Sequence, residues 1–452
     1  MGDTFDFDIF EFAKIDPNIL VSCYTFQENI PFPTPPTASR TFTALTMGCG
    51  YNLNLNLFEI SEQKEFANNL IVEVGSLLIG ESLAVIKSGT AWKAPLLSLL
   101  GNIQRSYRKD TSYHNALHAA EVAHLLVCLL NRMKLIQRSI VGKHTLTELR
   151  FLSLFAGTQE QGNTPPSQQI TGGLGFVVAV LSALAHDAAH PGKTNNFLIN
   201  SGMPLALIYN DKSVLENYHS CILFQLLKQH SNNIFSSLSF SDWRMVRRIV
   251  IEMILATDMA FHFELIGELR ARRQAANFKY LLNETDGWIL VKNCLKMADI
   301  GHAFLSWDLH KEFSIRVCKE IIRQSYIYQL NIFRLIGKLF IVSNLILPLS
   351  KQSITSNAQC YVKRRSAFAI HAKIVYIDWA AHVAFFSSAK SQEEEEIRLK
   401  LPRSPLCLKN NLQDIPKSQR SFLQFVKANS EKWEAVSNSG TQIADIEERL
   451  ND

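Results

Sequence analysis

Helix-forming runs that are apolar on nearly every side constrain this chain more than any other feature. Residues 118–133, 176–190, 241–259 and 288–300 carry apolar side chains at three- and four-residue spacing, with few alternating stretches. A helix of this kind is stable inside a large core, because it has no polar face to turn toward water. With 452 residues, 47% of them hydrophobic, the chain can build such a core. The predicted fold class is all-α, a compact multi-helix domain.

The charge and the cysteines narrow the choice of partner and compartment. The chain has 46 Lys and Arg against 41 Asp and Glu, and a net charge of +5 is too small at this size to indicate a nucleic-acid partner. Its eight cysteines include no CxxC pair, which is typical of reduced thiols in a cytosolic protein. The acidic start MGDTFDFDIFEF lacks the pattern of a signal peptide. We therefore expect a cytoplasmic protein.

One apolar segment is a candidate for a membrane span. Residues 339–349 (LFIVSNLILPL) provide about half of the ~20 apolar residues that a membrane helix needs. The segment is therefore interpreted as buried in the protein, and no clear membrane span is predicted. The oligomeric state is not readable from the sequence.

Three stretches interrupt the helical texture. Residues 31–56 are rich in Pro, Thr, Gly and Asn, and residues 157–175 are rich in Gly, Gln, Pro and Thr, so both are predicted to be loops. Residues 325–390 are apolar and basic, without a recognisable cap or motif. The acidic run 393–396 that follows is typical of a solvated helix start.

Histidines and aspartates form an unusual pattern. His114 and His118 are four residues apart, as are His186 and His190, and on a helix each pair would project from one face. Asp187 follows His186 directly, and Asp299 interrupts an apolar stretch far downstream. Imidazole and carboxylate are the ligands that suit zinc, manganese and magnesium in hydrolytic sites. The pattern predicts a metal site.

A structural explanation competes with this one. A lone histidine in an apolar helix is more often a hydrogen-bonded core residue than a ligand, and one HxxxH pair leaves the question even. Two pairs with two aspartates favour the metal site, because burying Asp187 and Asp299 without a cation would be costly.

Six motifs in order resemble the class I 3′,5′-cyclic-nucleotide phosphodiesterase catalytic domain, a branch of the HD-type metal hydrolases. They are YHNALHAAEV, HDAAHPGKTNNFLINSGMPLALIYNDKSVLEN, LATDM, KMADIGH, LPRSPLC and IPKSQRSF. The resemblance extends from about residue 102 to residue 433. It implies an all-α domain with a central two-metal site that hydrolyses cAMP, cGMP or both to the 5′-monophosphate.

The resemblance implies a role for each matching residue. A tighter metal, usually zinc, would be bound by His118, His186, Asp187 and Asp299. Asp187 would also bridge to a second metal, usually magnesium or manganese. The family's general acid, which protonates the departing O3′, matches His114.

Further positions match residues around the metals and the substrate. The residues that would orient the metal ligands and waters are His190, Glu216, His219, Thr257 and Asp258. The family's purine-binding glutamine and stacking aromatic match Gln419 and Phe422, and the aliphatic residue opposite them matches Val317. Tyr113 matches an aromatic that lines the site. His302 lies where family members differ with nucleotide preference, and it does not decide between cAMP and cGMP.

Four positions depart from the family pattern. Ala189 and Glu121 stand where Asp is usual, Tyr218 replaces a common His, and Ser421 replaces a common Gly. None of them matches a metal ligand. We therefore expect altered efficiency before loss of activity.

The surplus length lies inside the domain. Gln419 lies 120 positions after Asp299, far more than the family places there. We predict one catalytic domain over residues 1–434, with atypical insertions at about 31–56, 157–175 and 325–390, and a tail over 435–452. The long insertion is either a genuine surface segment or untrimmed non-coding sequence, which transcript sequencing would decide.

Two other functions stay open. One is an HD-type phosphohydrolase that acts on linear nucleotides, although Gln419 and Phe422 fit a cyclic-nucleotide clamp better. The other is a catalytically weakened relative that binds cyclic nucleotide as a sensor, an alternative that the insertions and Ala189 motivate.

Overall fold

A computed structural model describes five main stretches of the chain. They are residues 40–64, 66, 68–87, 92–152 and 172–324, together with positions 428, 429, 431, 432 and 435. Predictions that fall elsewhere lie outside the described residues. These are the 325–390 insertion with its apolar segment 339–349, the acidic run 393–396, most of the 157–175 loop, and Gln419, Ser421 and Phe422.

Helices dominate the described residues, so the predicted all-α class is confirmed. The helices of the first part are α1 (Arg40–Gly48), α2 (Leu57–Glu62), α3 (Leu70–Ile86), α4 (Lys93–Ser106) and α5 (Ala116–Arg132). Those of the second part are α6 (Gly172–Ala185), α7 (Asn195–Asn200), α8 (Pro204–Ile208), α9 (Val214–Lys228), α10 (Phe240–Leu255), α11 (His262–Gln274), α12 (Glu284–Asp299) and α13 (307–324). None of the helices in the described part of the chain is long and apolar enough to cross a bilayer.

The centre of the fold is made by helices that are apolar all round, as the sequence predicts. All fourteen residues of α6 are buried, and α6 packs against α3, α5 and α10. Helix α5 also packs against α12. Three buried helices therefore come together, and the polar residues at their ends are held where the core is most rigid.

A β-hairpin is the main element that the sequence analysis missed. Strands β1 (Ile136–Val141) and β2 (His144–Leu149) pair antiparallel, and Val141 lies opposite His144. Gly142 has a φ of 62°, which suits the first position of a two-residue hairpin loop. Strand β2 packs on α3 and α6. The Gly between two short alternating runs was the available signal.

The loop predictions are wrong at two places. Residues 40–48, inside the predicted 31–56 loop, form α1, which buries Leu45. The prolines that suggested a loop all precede this helix. Residues 172–175, at the end of the predicted 157–175 loop, are the first turn of α6. A Cβ at Gly175 would lie 2.5 Å from Cδ1 of Leu152, so glycine there serves close packing.

Candidate metal centre and active site

The two histidine pairs lie at helix ends, which corrects the prediction that each pair projects from one helix. Helix α5 starts after Asn115, whose side-chain oxygen accepts the backbone N–H groups of Leu117 and His118 at 3.0 and 3.4 Å. His114 therefore precedes the helix and His118 lies in its first turn. Helix α6 ends at Ala185, before the second pair. The predicted helix 176–190 is too long at its C-terminal end.

Four predicted ligands converge on one point. The ligand atoms of His118, His186, Asp187 and Asp299 all lie within 4.8 Å of one another. Oδ1 of Asp299 is 3.1 Å from Nε2 of His118 and 3.3 Å from Nε2 of His186. Oδ2 of Asp187 is 3.6 and 3.3 Å from the same two nitrogens. They arrive from three helix ends, those of α5, α6 and α12.

Hydrogen bonds behind the histidines fix which nitrogen faces the cluster. The Nδ1–H of His186 donates to the carbonyl of Ala183 at 2.8 Å, and the Nδ1–H of His219 donates to that of Ala188 at 2.7 Å. With Nδ1 of each ring donating away from the cluster, Nε2 is the nitrogen that faces it, which is the orientation that a metal-binding imidazole requires.

The charges of the cluster suit a cation. Burial opposes ionisation of Asp187 and Asp299, but His186 beside both carboxyls, joined at Asp299 by His118, holds the pKa of each well below its usual range. Both carboxylates are therefore ionised at neutral pH. A set of two imidazoles and two carboxylates could hold a divalent metal ion of the zinc, manganese or magnesium class.

A second group of polar side chains lies beside Asp187. Nε2 of His219 is 3.5 Å from Oδ1 of Asp187 and is buried without a hydrogen-bond partner among the described residues. Such an orphaned nitrogen facing a carboxylate fits a site that takes a cation and its waters. Burial, with the nearby Asp258, raises the pKa of Glu216 to about 7. Asn195 donates to Glu216 at 2.9 Å.

Thr257 and Asp258 follow helix α10 and are both buried. The hydroxyl of Ser213 donates to Asp258 at 2.8 Å, and the Thr257 hydroxyl donates to the carbonyl of Ile254 at 2.7 Å. The ammonium of Lys296, with no exposed surface, donates to the carbonyl of Asp258 at 2.9 Å and to that of Thr257 at 3.2 Å. Lys296 thus neutralises the C-terminal end of α10 and fixes the turn that carries Asp258.

Glu320 is a site residue that the sequence analysis missed. It is buried on α13, and its Oε1 forms a short hydrogen bond with Nδ1 of His114. Its Oε2 accepts the backbone N–H groups of Tyr113 and His114 at 3.0 and 3.2 Å. Burial disfavours the charged ring of His114, but the bond and the charge of Glu320 outweigh it and raise the His114 pKa to about 8. His114 is therefore protonated at neutral pH.

His190 stacks on His114 with ring centroids 4.0 Å apart. Its Nδ1 accepts the backbone N–H of Gly192 at 3.0 Å, so the ring proton lies on Nε2. The preceding Ala189, where the family usually has Asp, has a φ of 63°. That left-handed backbone is strained for alanine and tolerated better by asparagine or aspartate.

The predicted substrate residues divide into two groups. The Tyr113 ring packs on His118 at 4.4 Å, and His302 lies 6.1 Å from Tyr113 with its Nδ1 3.1 Å from that of His310. Val317 is partly buried against the core on α13, one turn before Glu320. Gln419 and Phe422 lie outside the described residues.

Tyr107 is a second residue that the sequence analysis missed. Its hydroxyl donates to the carbonyl of Leu184 at 3.1 Å and accepts the backbone N–H of Asp187 at 3.2 Å. These two groups belong to the end of α6, where helix hydrogen bonding stops. Tyr107 thereby fixes the turn that carries His186 and Asp187.

Tyr107→Phe is expected to lower the free energy of unfolding by about 1–3 kcal/mol, because it leaves a buried N–H and a buried C=O without their partner. Urea denaturation of both proteins measures it. Tyr51→Phe, at a ring that is 56% exposed, is the matched control and should change the value by less than about 0.5 kcal/mol. Equal stability of Tyr107→Phe and the parent would contradict this role.

Glu121 is a buried acid. Its Oε1 has no hydrogen-bond partner among the described residues, and burial raises its pKa to about 8. The folded state thus holds this proton more tightly than the unfolded chain does. The protonated Glu121 therefore contributes to the free energy of unfolding. This contribution is fully present below the ordinary glutamate pKa and is lost as pH rises through about 8.

Glu121→Gln is therefore expected to stabilise the protein more at high pH than at low pH. The variant should gain about 5 kcal/mol over the parent at pH 9, because each unit of the pKa shift is worth ~1.36 kcal/mol, and almost nothing at pH 4.5. Urea denaturation at both pH values measures the difference, with the exposed Glu264→Gln as control. A gain that is the same at both pH values would show that Glu121 does not titrate in this way.

Comparison with known proteins agrees with this site. Residues 113–330 match the family described as 3′5′-cyclic nucleotide phosphodiesterase. The matched segment contains the four clustered ligands, His114 and Glu320.

Three curated relatives carry names from the same family. The chain is 28% identical over 331 residues to a dual 3′,5′-cyclic-AMP and -GMP phosphodiesterase beta of Plasmodium falciparum, covering 73% of this chain and 20% of the relative. It is 34% identical over 219 residues to a cGMP-specific phosphodiesterase alpha of the same organism, covering 48% and 20%. A human calcium/calmodulin-dependent dual-specificity phosphodiesterase 1B is 27% identical over 66% of this chain and 49% of the relative. The chain thus spans between a fifth and a half of these relatives.

A solved structure shares the fold. The phosphodiesterase domain of a rhodopsin phosphodiesterase fusion protein from the choanoflagellate Salpingoeca rosetta superposes with a TM-score of 0.53 at 21% sequence identity. The match covers 88% of this chain and 99% of that domain. It supports the helical architecture.

Proposed function

We propose that this chain hydrolyses 3′,5′-cyclic nucleotides, cAMP or cGMP or both, to 5′-monophosphates in cyclic-nucleotide signalling. The observation that carries the proposal is that two groups of side chains lie next to each other. A four-residue ligand cluster lies beside the His114–Glu320 pair, and the rings of His114 and His118 are 5.7 Å apart. Hydrolysis of a phosphodiester needs a polarised phosphate on one side and a proton donor for the leaving oxygen on the other.

The proposed metal ligands are the clustered residues His118, His186, Asp187 and Asp299, with Zn²⁺ as the tighter ion. Asp187 would also help to hold a second ion, which we propose to be Mg²⁺ or Mn²⁺. When bound, such ions would polarise the phosphoryl oxygens and supply an activated water as the nucleophile. The charge on the two carboxylates and the orientation of His186, whose Nε2 faces both of them, support this assignment.

His114 is proposed to donate a proton to O3′ as the ring of the cyclic phosphate opens. Glu320 accepts a hydrogen bond from Nδ1–H of His114, which leaves Nε2–H as the donor toward substrate. The raised pKa keeps this ring protonated at neutral pH. Proton delivery of this kind typically contributes about 10²–10⁴-fold in rate.

The residues around this centre are proposed to orient it. Five of them, His190, Glu216, His219, Thr257 and Asp258, would hold the ligands and the waters of the second ion. Tyr113, His302 and Val317 would line the nucleotide pocket. Gln419 would hydrogen-bond the purine edge and Phe422 would stack on the purine.

One catalytic domain is proposed to extend over residues 1–434, with the tail from 435. Asn429 supports this extent, because it is buried and donates to the carbonyls of Ala303 and Leu305 at 3.0 Å. These two acceptors follow Asp299 closely in the sequence, so the contact connects the region near residue 429 with the region of the proposed site. We further propose a cytoplasmic location, in line with the free thiols of the five described cysteines. The proposal includes no nucleic-acid partner.

A turnover assay with cAMP and cGMP side by side tests the proposed function. The parent protein should form 5′-monophosphate from at least one of them in Mn²⁺ or Mg²⁺, and His114→Ala should be slower by about 10²-fold or more. Linear dinucleotides provide the competing substrate class. Faster hydrolysis of those than of both cyclic nucleotides would favour a different phosphohydrolase.

A further inference from the structure

A cavity of about 790 Å³ lies between helices α9 and α10, apart from the metal centre. From α9 it is lined by Ser220, Cys221 and Phe224, among others. None of the lining residues belongs to the metal centre, and His219 of that centre projects roughly 140–160° away from Cys221 and Phe224 around this helix, at 100° per residue. The cavity is therefore a separate site that shares one wall with the catalytic region.

The walls of the cavity are aromatic and apolar. Phe224 and Trp243 pack edge to face with ring centroids 5.9 Å apart, and Leu227 and Ile251 add aliphatic surface. A volume of this size is in the usual range for small-molecule sites, roughly 300–1,000 Å³. The shape and lining suit a ring system or a short aliphatic body.

The charged residues of the lining are all basic. Arg247 lies with its guanidinium 4.2 Å from the Phe224 ring centroid, and Lys228 is at the end of α9. No Asp or Glu lines the cavity, and neither cation has an ion-pair partner within the described part of the chain. A ligand with an acidic group would complement this charge.

We propose that the α9–α10 cavity binds a small organic anion whose apolar part is an aromatic or alicyclic ring. The ring would pack between Phe224 and Trp243, and the acidic group would meet Arg247 and Lys228. The proposal does not depend on the cyclic-nucleotide chemistry.

A pair of matched dyes tests the charge requirement. The anionic dye 8-anilinonaphthalene-1-sulfonate and neutral N-phenyl-1-naphthylamine share the same rings, and only the first carries a sulfonate. In fluorescence titrations of the full chain, the anion should saturate one site and bind at least about tenfold more tightly than the neutral dye. Equal affinities would overturn the proposal.

Two variants tie the binding to this cavity. Arg247→Gln should raise the Kd of the anionic dye about tenfold or more, whereas Arg248→Gln, next to it on α10 but outside the lining, should change it less than about twofold. Cys221→Phe, which fills the cavity, should abolish the site. Equal effects of the two arginine variants would overturn the proposal. So would unchanged binding in a Cys221→Phe protein that melts like the parent.

Discussion

Asp299→Asn should lower the turnover of cyclic nucleotide by about 10³-fold or more, the largest effect that we expect from any single substitution. Asparagine keeps the size of the side chain but removes the charge that lies 3.1 and 3.3 Å from Nε2 of His118 and His186. The cluster would retain one carboxylate, and loss of the metal removes several kcal/mol of transition-state stabilisation. Turnover with cAMP and cGMP measures the loss, and elemental analysis measures the bound metal.

Asp308→Asn is the matched control, because Asp308 is an exposed aspartate at the start of α13. It should keep both activity and metal content. Retention of the parent's metal content and turnover by Asp299→Asn would show that Asp299 is not a ligand.

Glu320→Gln is expected to lower kcat by about 10²-fold with little change in KM. The amide oxygen of glutamine can still accept the backbone N–H groups of Tyr113 and His114, so the local fold should persist. It cannot supply the negative charge that stabilises the His114 imidazolium, so the proton donor is weakened. Steady-state kinetics of the purified variant measures the two constants separately.

Measuring the bound metal distinguishes the role of Glu320, which acts through His114, from that of Asp299, which is a proposed ligand. Glu320→Gln should bind as much metal as the parent, because Glu320 touches none of the four clustered ligands among its hydrogen bonds. Glu312→Gln, on the same helix and partly exposed, should leave kcat within about twofold. A fall in metal content that accounts for the loss of activity would contradict a role through His114.

The histidine pattern predicted which residues meet but not how the backbone brings them together. Periodicity places apolar runs on helices, yet it does not fix a helix end to within a turn. Asn115 caps α5 after His114, and the left-handed Ala189 turns the chain after α6, so the first pair brackets the start of α5 and the second pair follows the end of α6. The ligands still converge because a helix end can aim consecutive side chains at one point.

The sequence pattern could not identify Glu320 and Tyr107 as residues of the site. The His114–Glu320 bond spans 206 positions and the Tyr107–Asp187 bond spans 80, so both depend on tertiary packing that a single sequence does not display. The only local sign for Glu320 is a carboxylate in an amphipathic helix, which usually marks a solvated face. Buried polar residues of this kind require the structure.

The loop predictions failed for a different reason. The glycines of residues 172–175 suggested a turn, whereas helix α6 uses them to pack closely, as at Gly175 against Leu152. The prolines that suggested a loop over residues 31–56 all precede helix α1. Residue composition alone therefore predicted the wrong backbone conformation for these segments.

Metal-dependent conversion of a cyclic nucleotide tests the central claim most directly. The protein is stripped with a chelator, shown to remain folded, and titrated with Mn²⁺ while ³¹P NMR follows cAMP and cGMP. The account predicts no product from the stripped protein, and the appearance of a 5′-monophosphate as Mn²⁺ binds. A folded, metal-loaded protein that converts neither nucleotide would contradict it.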